Sequence, residues 1–237
     1  KVKDYPWDSI KDLDGWEHGT NKKYLKELCD YWITKFDWSK HELEINKFKN
    51  FTTDIEGIKI HFIKKKGSNE NSQPLLLMHG WPGSVIEFLN IIEKLAHPEK
   101  FGGNEKDSFD VIVPSLPGFG FSGSLSKPMG PRKMAEILNK LMIENLGYKY
   151  YMAQGGDWGA TIANWLGYDH SNFCKAIHIN CLTMRHPEGP QSDEERNWQK
   201  KFNEDQIMQE GYRTQQATKP QSLGYGMMDS PVGIAGW

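Results

Sequence analysis

The sequence predicts an α/β fold in which a parallel sheet carries helices on both faces. Two patterns predict it. Short apolar runs recur at 75–78, 111–113, 150–153 and 176–179, as in strands buried on both sides. Stretches of helical periodicity lie between them, at 85–96, 131–146 and 160–168, and alternation at this spacing builds a parallel sheet.

Residues 1–50 form a lead-in rich in Trp, Lys and Asp. After Thr20, the spacing of Tyr24, Leu28, Tyr31 and Trp32 predicts a helix with one aromatic face. Trp7, Trp16, Trp32 and Trp38 are expected to anchor this segment as packed apolar side chains. Asp54-Ile55-Glu56-Gly57 reads as a turn, followed by a half-buried strand in which Ile58, Ile60 and Phe62 alternate with Lys59 and His61. On that alternation His61 belongs to the solvated face. The first fully buried strand is 75–78, and the helix 131–146 stops at Gly147, a residue suited to a helix end. After Met184 the chain turns polar, and Pro187, Pro190 and Ser192-Asp193-Glu194-Glu195-Arg196 interrupt the rhythm. The expected organisation is an extension over 1–50, a core over 51–184, and a partly helical lid with the start of a return to the core over 185–237. No repeat or low-complexity tract is visible.

The 237 residues suffice for one large domain, and a net charge of −2 gives no reason to expect nucleic acid as a partner. Cys29, Cys174 and Cys181 are odd in number and lack CxxC spacing. That argues against a disulfide framework and against a zinc knuckle, and it fits a reducing compartment, the cytoplasm. Cys29 and Cys174 are expected to pack as small apolar residues. No stretch approaches a membrane span, and the N-terminus does not read as a signal peptide. Membrane association and a homodimer both stay open.

The chemistry concentrates in Gly155-Gly156-Asp157-Trp158-Gly159, which follows one apolar run and opens a helix. Strand, small-x-nucleophile-x-small, helix is a nucleophile elbow, a tight turn that thrusts its middle side chain over the end of the sheet. A serine there needs a base. An aspartate is ionised at neutral pH without one, but it is a weak nucleophile. It suits an sp³ carbon with a strained or good leaving group, such as an epoxide carbon or a carbon bearing a halide. The alternative is a Gly-rich turn in which Asp157 merely caps the helix. His79-Gly80-Trp81-Pro82-Gly83-Ser84 follows the run at 75–78, where a loop of this architecture lends a backbone N–H to an oxyanion hole. Trp81 and Trp158 occupy the two donor positions. His79 reads as a structural loop histidine. Pro114-Ser115-Leu116-Pro117-Gly118-Phe119-Gly120-Phe121-Ser122 orders a further loop near the site and lacks dinucleotide-binding spacing, so no cofactor and no metal is expected.

Taken together, HGWPGS, PSLPGFGFS, QGGDWG, GYRTQQATKP and DSPVG resemble the microsomal epoxide hydrolase family, which includes the insect juvenile hormone epoxide hydrolases. The Trp-rich lead-in resembles that family's N-terminal extension. The resemblance implies an α/β-hydrolase fold and a small apolar epoxide as substrate, hydrolysed to a diol through an ester on Asp157. It also implies that Tyr212, in Gly211-Tyr212-Arg213, is a lid tyrosine that protonates the leaving oxygen; a tyrosine that simply packs is the alternative. The family's acid, base histidine and second lid tyrosine would fall beyond Trp237, so the C-terminal part of the core is expected to be missing. The isolated chain should then not turn over. Of the histidines after Asp157, His178 reads as a core residue, and His170 and His186 flank its strand too closely to serve as base. A haloalkane dehalogenase and a non-catalytic scaffold of the same fold are the rival readings.

Overall fold

The computed structural model describes residues 1–181 and 186–237, the Met208 side chain apart. The boundary expected at 184/185 lies outside the described residues. In chain order the elements are α1 (Lys22–Thr34), α2 (Trp38–Asn46), β1 (Lys49–Ile55), β2 (Ile58–Lys65), β3 (Gln73–Met78), α3 (Leu89–Ala96), β4 (Phe109–Pro114) and α4 (Pro131–Lys140). There follow β5 (Tyr151–Gly155), α5 (Trp158–Asp169), β6 (Cys174–Ile179), α6 (Asp193–Gln209), α7 (Gly211–Thr218), α8 (Pro220–Asp229) and α9 (Pro231–Gly236). They form two compact units, Ser39–Met184 and the combination of Lys1–Trp38 with Arg185–Trp237.

The unit Ser39–Met184 is built on a six-stranded sheet in the order β1-β2-β4-β3-β5-β6. β3, β4, β5 and β6 pair in parallel, whereas β1, β2 and β4 pair antiparallel. The four apolar runs thus form the expected parallel sheet, and β1 and β2 extend it as antiparallel strands. The cause is local: Glu56 (φ 54°) and Gly57 (φ 77°) make a two-residue hairpin turn, and Asp54 Oδ1 accepts the Gly57 N–H at 2.9 Å. Alternation then sorts the central strands onto two cores. Leu76, Met78 and Ile112 face α4 and α5, packing with Met134, Ile137, Leu138, Ile162 and Leu166. Leu77, Val111 and Val113 face α3, packing with Val85, Phe88 and Ile92. Helices do cover both faces. Each fully buried aliphatic side chain contributes about 1.5–3 kcal/mol, so the two cores fix which way the sheet edge points.

Two histidines depart from expectation. His61 is 5% exposed, not solvated: Nδ1 bonds Ser115 Oγ at 2.9 Å and Nε2 bonds Asn50 Oδ1 at 2.8 Å. β2 lies between β1 and β4, and Phe121 packs edge-on against the ring, so both sides of the strand are covered. Within residues 1–237 His178 is exposed rather than core: β6 is the outermost strand on its side of the sheet, and Lys175 to His178 are all open.

In the other unit, Asn21 caps α1 by accepting the Tyr24 N–H, and Thr20 Oγ donates to Gly236 O at 2.6 Å. Cys29 packs at 1% exposure. Trp16, Trp32 and Trp38 are 58%, 41% and 52% exposed, which corrects their reading as packed anchors. α1 buries its Cys29 side, and Trp32 and Trp38 instead line an open apolar groove of about 650 Å³ with Tyr31 and Phe36. All three cysteines are free, and among the described residues no helix is long and apolar enough to cross a membrane.

Candidate active site

β5 ends at Gly155, the chain turns through Gly156 and Asp157, and α5 begins at Trp158. Asp157 has φ 50° and ψ −121°, a conformation strained for any residue with a Cβ and typical of places where a side chain must be aimed. The turn closes because strand and helix touch. A Cβ on Gly155 would lie 2.0 Å from Gly159 O, and a Cβ on Gly159 would lie 2.2 Å from Met78 O. Asp157 stands at the cap position of α5, yet its side chain makes no cap hydrogen bond. The Trp81 N–H donates to Asp157 Oδ1 at 2.8 Å instead. This disposes of the plain helix-cap alternative and joins the loop after β3 to the elbow.

That loop is held at several points. Gly83 N–H donates to Gly80 O at 3.0 Å. His79 Nδ1 lies 2.8 Å from the same oxygen, and Leu116 N–H donates to His79 Nε2 at 3.1 Å. His79 is 1% exposed, and burial lowers its pKa against the opposing pull of the Gly80 carbonyl and Glu87. Burial likewise lowers that of His61, with Lys59 adding to the effect. Downstream, Ser84 and Glu87 form a capping box: Ser84 Oγ accepts the Ile86 N–H and Glu87 Oε1 accepts the Ser84 N–H at 3.1 Å.

Gly80, Trp81, Glu87, Gly156, Asp157 and Asn180 line a cavity of about 370 Å³ in front of the aspartate. Trp158, which follows Asp157, is the first residue of α5, where a helix leaves its N–H groups unpaired and its dipole favours negative charge. Asp157, Trp81 and Trp158 are thus together in one unit. Tyr212 is the second residue of α7, 56% exposed, in the other unit. Glu87 and Asn180 were not singled out from the sequence. Ser84-x-x-Glu87 carried a signal, the capping-box spacing. Asn180 carried none: it reaches the cavity only because β6 pairs with β5. Among the described residues no cluster of His, Cys, Asp and Glu is placed to hold a metal ion.

Residues 1–88 match the family described as epoxide hydrolase N terminus, and residues 73–223 match the alpha/beta hydrolase fold. The chain is 36% identical to epoxide hydrolase 1 of Sus scrofa, over 93% of this chain and 53% of that protein. It is 35% identical to juvenile hormone epoxide hydrolase 2 of Ctenocephalides felis, over 93% of this chain and 51% of that one. It spans about half the length of the curated relatives it matches. Among solved structures, the juvenile hormone epoxide hydrolase of Bombyx mori superposes with a TM-score of 0.86 at 29% identity, covering 99% of this chain and 59% of that one. The Aspergillus niger epoxide hydrolase superposes at 0.82 and 30% identity, covering 98% and 63%. With its sheet order, its aspartate elbow and a match over residues 73–223, the chain belongs to the alpha/beta hydrolase fold family.

Proposed function

We propose that this chain carries the nucleophile and oxyanion site of an epoxide hydrolase, which opens an apolar epoxide to a diol through an ester on Asp157. The observation that carries the reading is the Trp81 N–H bond to Asp157 Oδ1, at an elbow whose aspartate caps nothing. One carboxylate oxygen is held, so the other, Oδ2, attacks the epoxide carbon. The C–O bond of the ring breaks, and the leaving oxygen takes a proton, the donor role that the resemblance gives to Tyr212. Oδ1 then becomes the ester carbonyl oxygen. Water attacks the ester carbon, and the charge that develops on Oδ1 is stabilised by the N–H groups of Trp81 and Trp158; one such donor is typically worth about 10²–10³ in rate. Collapse breaks the C–O bond to the diol and restores the carboxylate, while the two protons of water go to the diol oxygen and back to Tyr212.

The second step needs a base. His79 and His61 cannot serve, because both nitrogens of each ring are engaged in hydrogen bonds. We assign the base to a part of the enzyme outside residues 1–237, because the chain spans about half the length of the epoxide hydrolases it matches.

The test is to mix the full-length protein with styrene oxide, quench early, and weigh the peptide that contains Asp157. Gain of one epoxide mass, absent from Asp157→Ala, is the expected result. Halide release from a haloalkane with no diol from the epoxide would replace this reading with a dehalogenase.

A further inference from the structure

The Gly80–Trp81 peptide is the unit that presents the donor to Asp157. Peptides are planar and stiff, so the C=O of Gly80 and the N–H of Trp81 move as one plate. The N–H end is bonded to Asp157 Oδ1 at 2.8 Å. The C=O end meets two groups, the Gly83 N–H at 3.0 Å and His79 Nδ1 at 2.8 Å. A carbonyl oxygen only accepts, so His79 Nδ1 must bear a proton. At the other side of the ring, Leu116 N–H only donates, so Nε2 must be bare. The contacts therefore admit one state of the imidazole, neutral with the proton on Nδ1. A proton on Nε2 would face the Leu116 N–H.

Leu116 is a firm anchor. It is fully buried and follows Ser115, whose N–H donates to His61 O at 2.9 Å and whose side chain bonds the His61 ring. Ser122 Oγ donates to Ser115 O at 2.7 Å, and Phe119 packs edge-on against the His79 ring. The loop after β4 is thus pinned to β2, and the loop after β3 is pinned to it through one ring.

We propose that His79 is a positioning residue: as the Nδ1–H tautomer it fixes the Gly80–Trp81 peptide against the Leu116 loop and keeps the Trp81 N–H aimed at Asp157. This deepens, and for its kinetic consequence rests on, the reading of Asp157 as the nucleophile. The bond also polarises that peptide, since a carbonyl that accepts two donors strengthens the N–H at its far end. His79 touches no reacting atom, so its effect appears in rate rather than in substrate binding.

The experiment uses the full-length protein in two arms. In the first, without substrate, nitrogen-15 spectra of the histidine rings and of the Trp81 amide are recorded. The expected result is an Nδ1–H ring for His79 near neutral pH, and a Trp81 amide resonance that moves in His79→Ala. An Nε2–H ring or an imidazolium, or an unmoved Trp81 amide, overturns the proposal. In the second arm, styrene oxide turnover is measured for His79→Ala and His79→Asn, with folding checked by circular dichroism. Asn carries an N–H donor at the position of Nδ1. The expected result is a kcat fall of roughly 10²-fold for His79→Ala at nearly constant KM, about the loss of one oxyanion donor, with part of it recovered in His79→Asn. A lowered melting temperature with kcat of the folded fraction unchanged means a purely structural histidine and overturns the proposal. Should His79→Ala fail to fold, His79→Asn and the wild-type ring tautomer still decide it. A wild type inert to styrene oxide counts against the epoxide reading alone, because the first arm needs no turnover.

Discussion

At the scale of single residues the site depends on close approach. A Cβ on Gly80 would lie 2.5 Å from both Cβ and Oδ1 of Asp157, so Gly80→Ala must push the carboxylate aside. Misplacing a reacting atom by about 1 Å can cost roughly 10²-fold. Single-turnover ester formation in Gly80→Ala is expected to slow by about that factor in a protein that remains folded; an unchanged rate would show that the carboxylate has room to spare. The turn at Asp157 was legible in the sequence because its motif is local, five residues whose types and spacing reflect one strand-to-helix turn. His61 was not legible. Its burial depends on Ser115 and Asn50, 54 and 11 residues away, and a period-2 pattern cannot report contacts of that kind.

At the scale of elements, the elbow is a packing contact between β3, β5 and α5. A Cβ on Gly159 would meet the Met78 carbonyl oxygen at 2.2 Å, and backbone cannot step aside as a side chain can. Gly159→Ala is expected to cost about 1–3 kcal/mol or more in overpacking, read as a lower urea midpoint for the whole protein. Tolerance without loss of stability would contradict this geometry. The central strands were legible as apolar runs because both of their faces are buried. β1 was not: in Lys49–Ile55 only Ile55 is buried, so an edge strand paired through its backbone left no hydrophobic pattern to read.

At the scale of the whole molecule, two buried histidines couple stability to pH. Burial lowers the pKa of both His61 and His79 below the ordinary 6.5. The unfolded chain therefore binds protons at these sites before the folded one does. Their contribution is complete above about pH 6.5 and is lost as pH falls toward the folded values. Glu56 behaves differently. Hydrogen bonds from Lys133 and Lys140 lower its carboxyl from 4.5 to about 2, so its contribution persists until pH drops below 4.5. Urea midpoints are expected to decline already between about pH 7 and pH 5, with a shallower decline in His61→Gln. A flat profile across that interval, breaking only in the carboxylate range, would contradict the assignment of two neutral buried rings.

The tryptophans next to Asp157 in the elbow and its facing loop have an optical consequence. The indoles of Trp81 and Trp158 are 38% and 39% exposed; Trp81 lines the cavity in front of Asp157 and Trp158 follows it in the chain, and the proposed ester would remove the carboxylate's charge. Indole emission responds to nearby charge, so the proposed ester on Asp157 would have a built-in reporter. Among nine tryptophans these two should produce a stopped-flow transient on mixing with an epoxide. The transient should vanish in Asp157→Ala and weaken in Trp158→Phe, which keeps the backbone N–H. Dye-free observation of ester formation and decay would then separate the two half-reactions in a single trace.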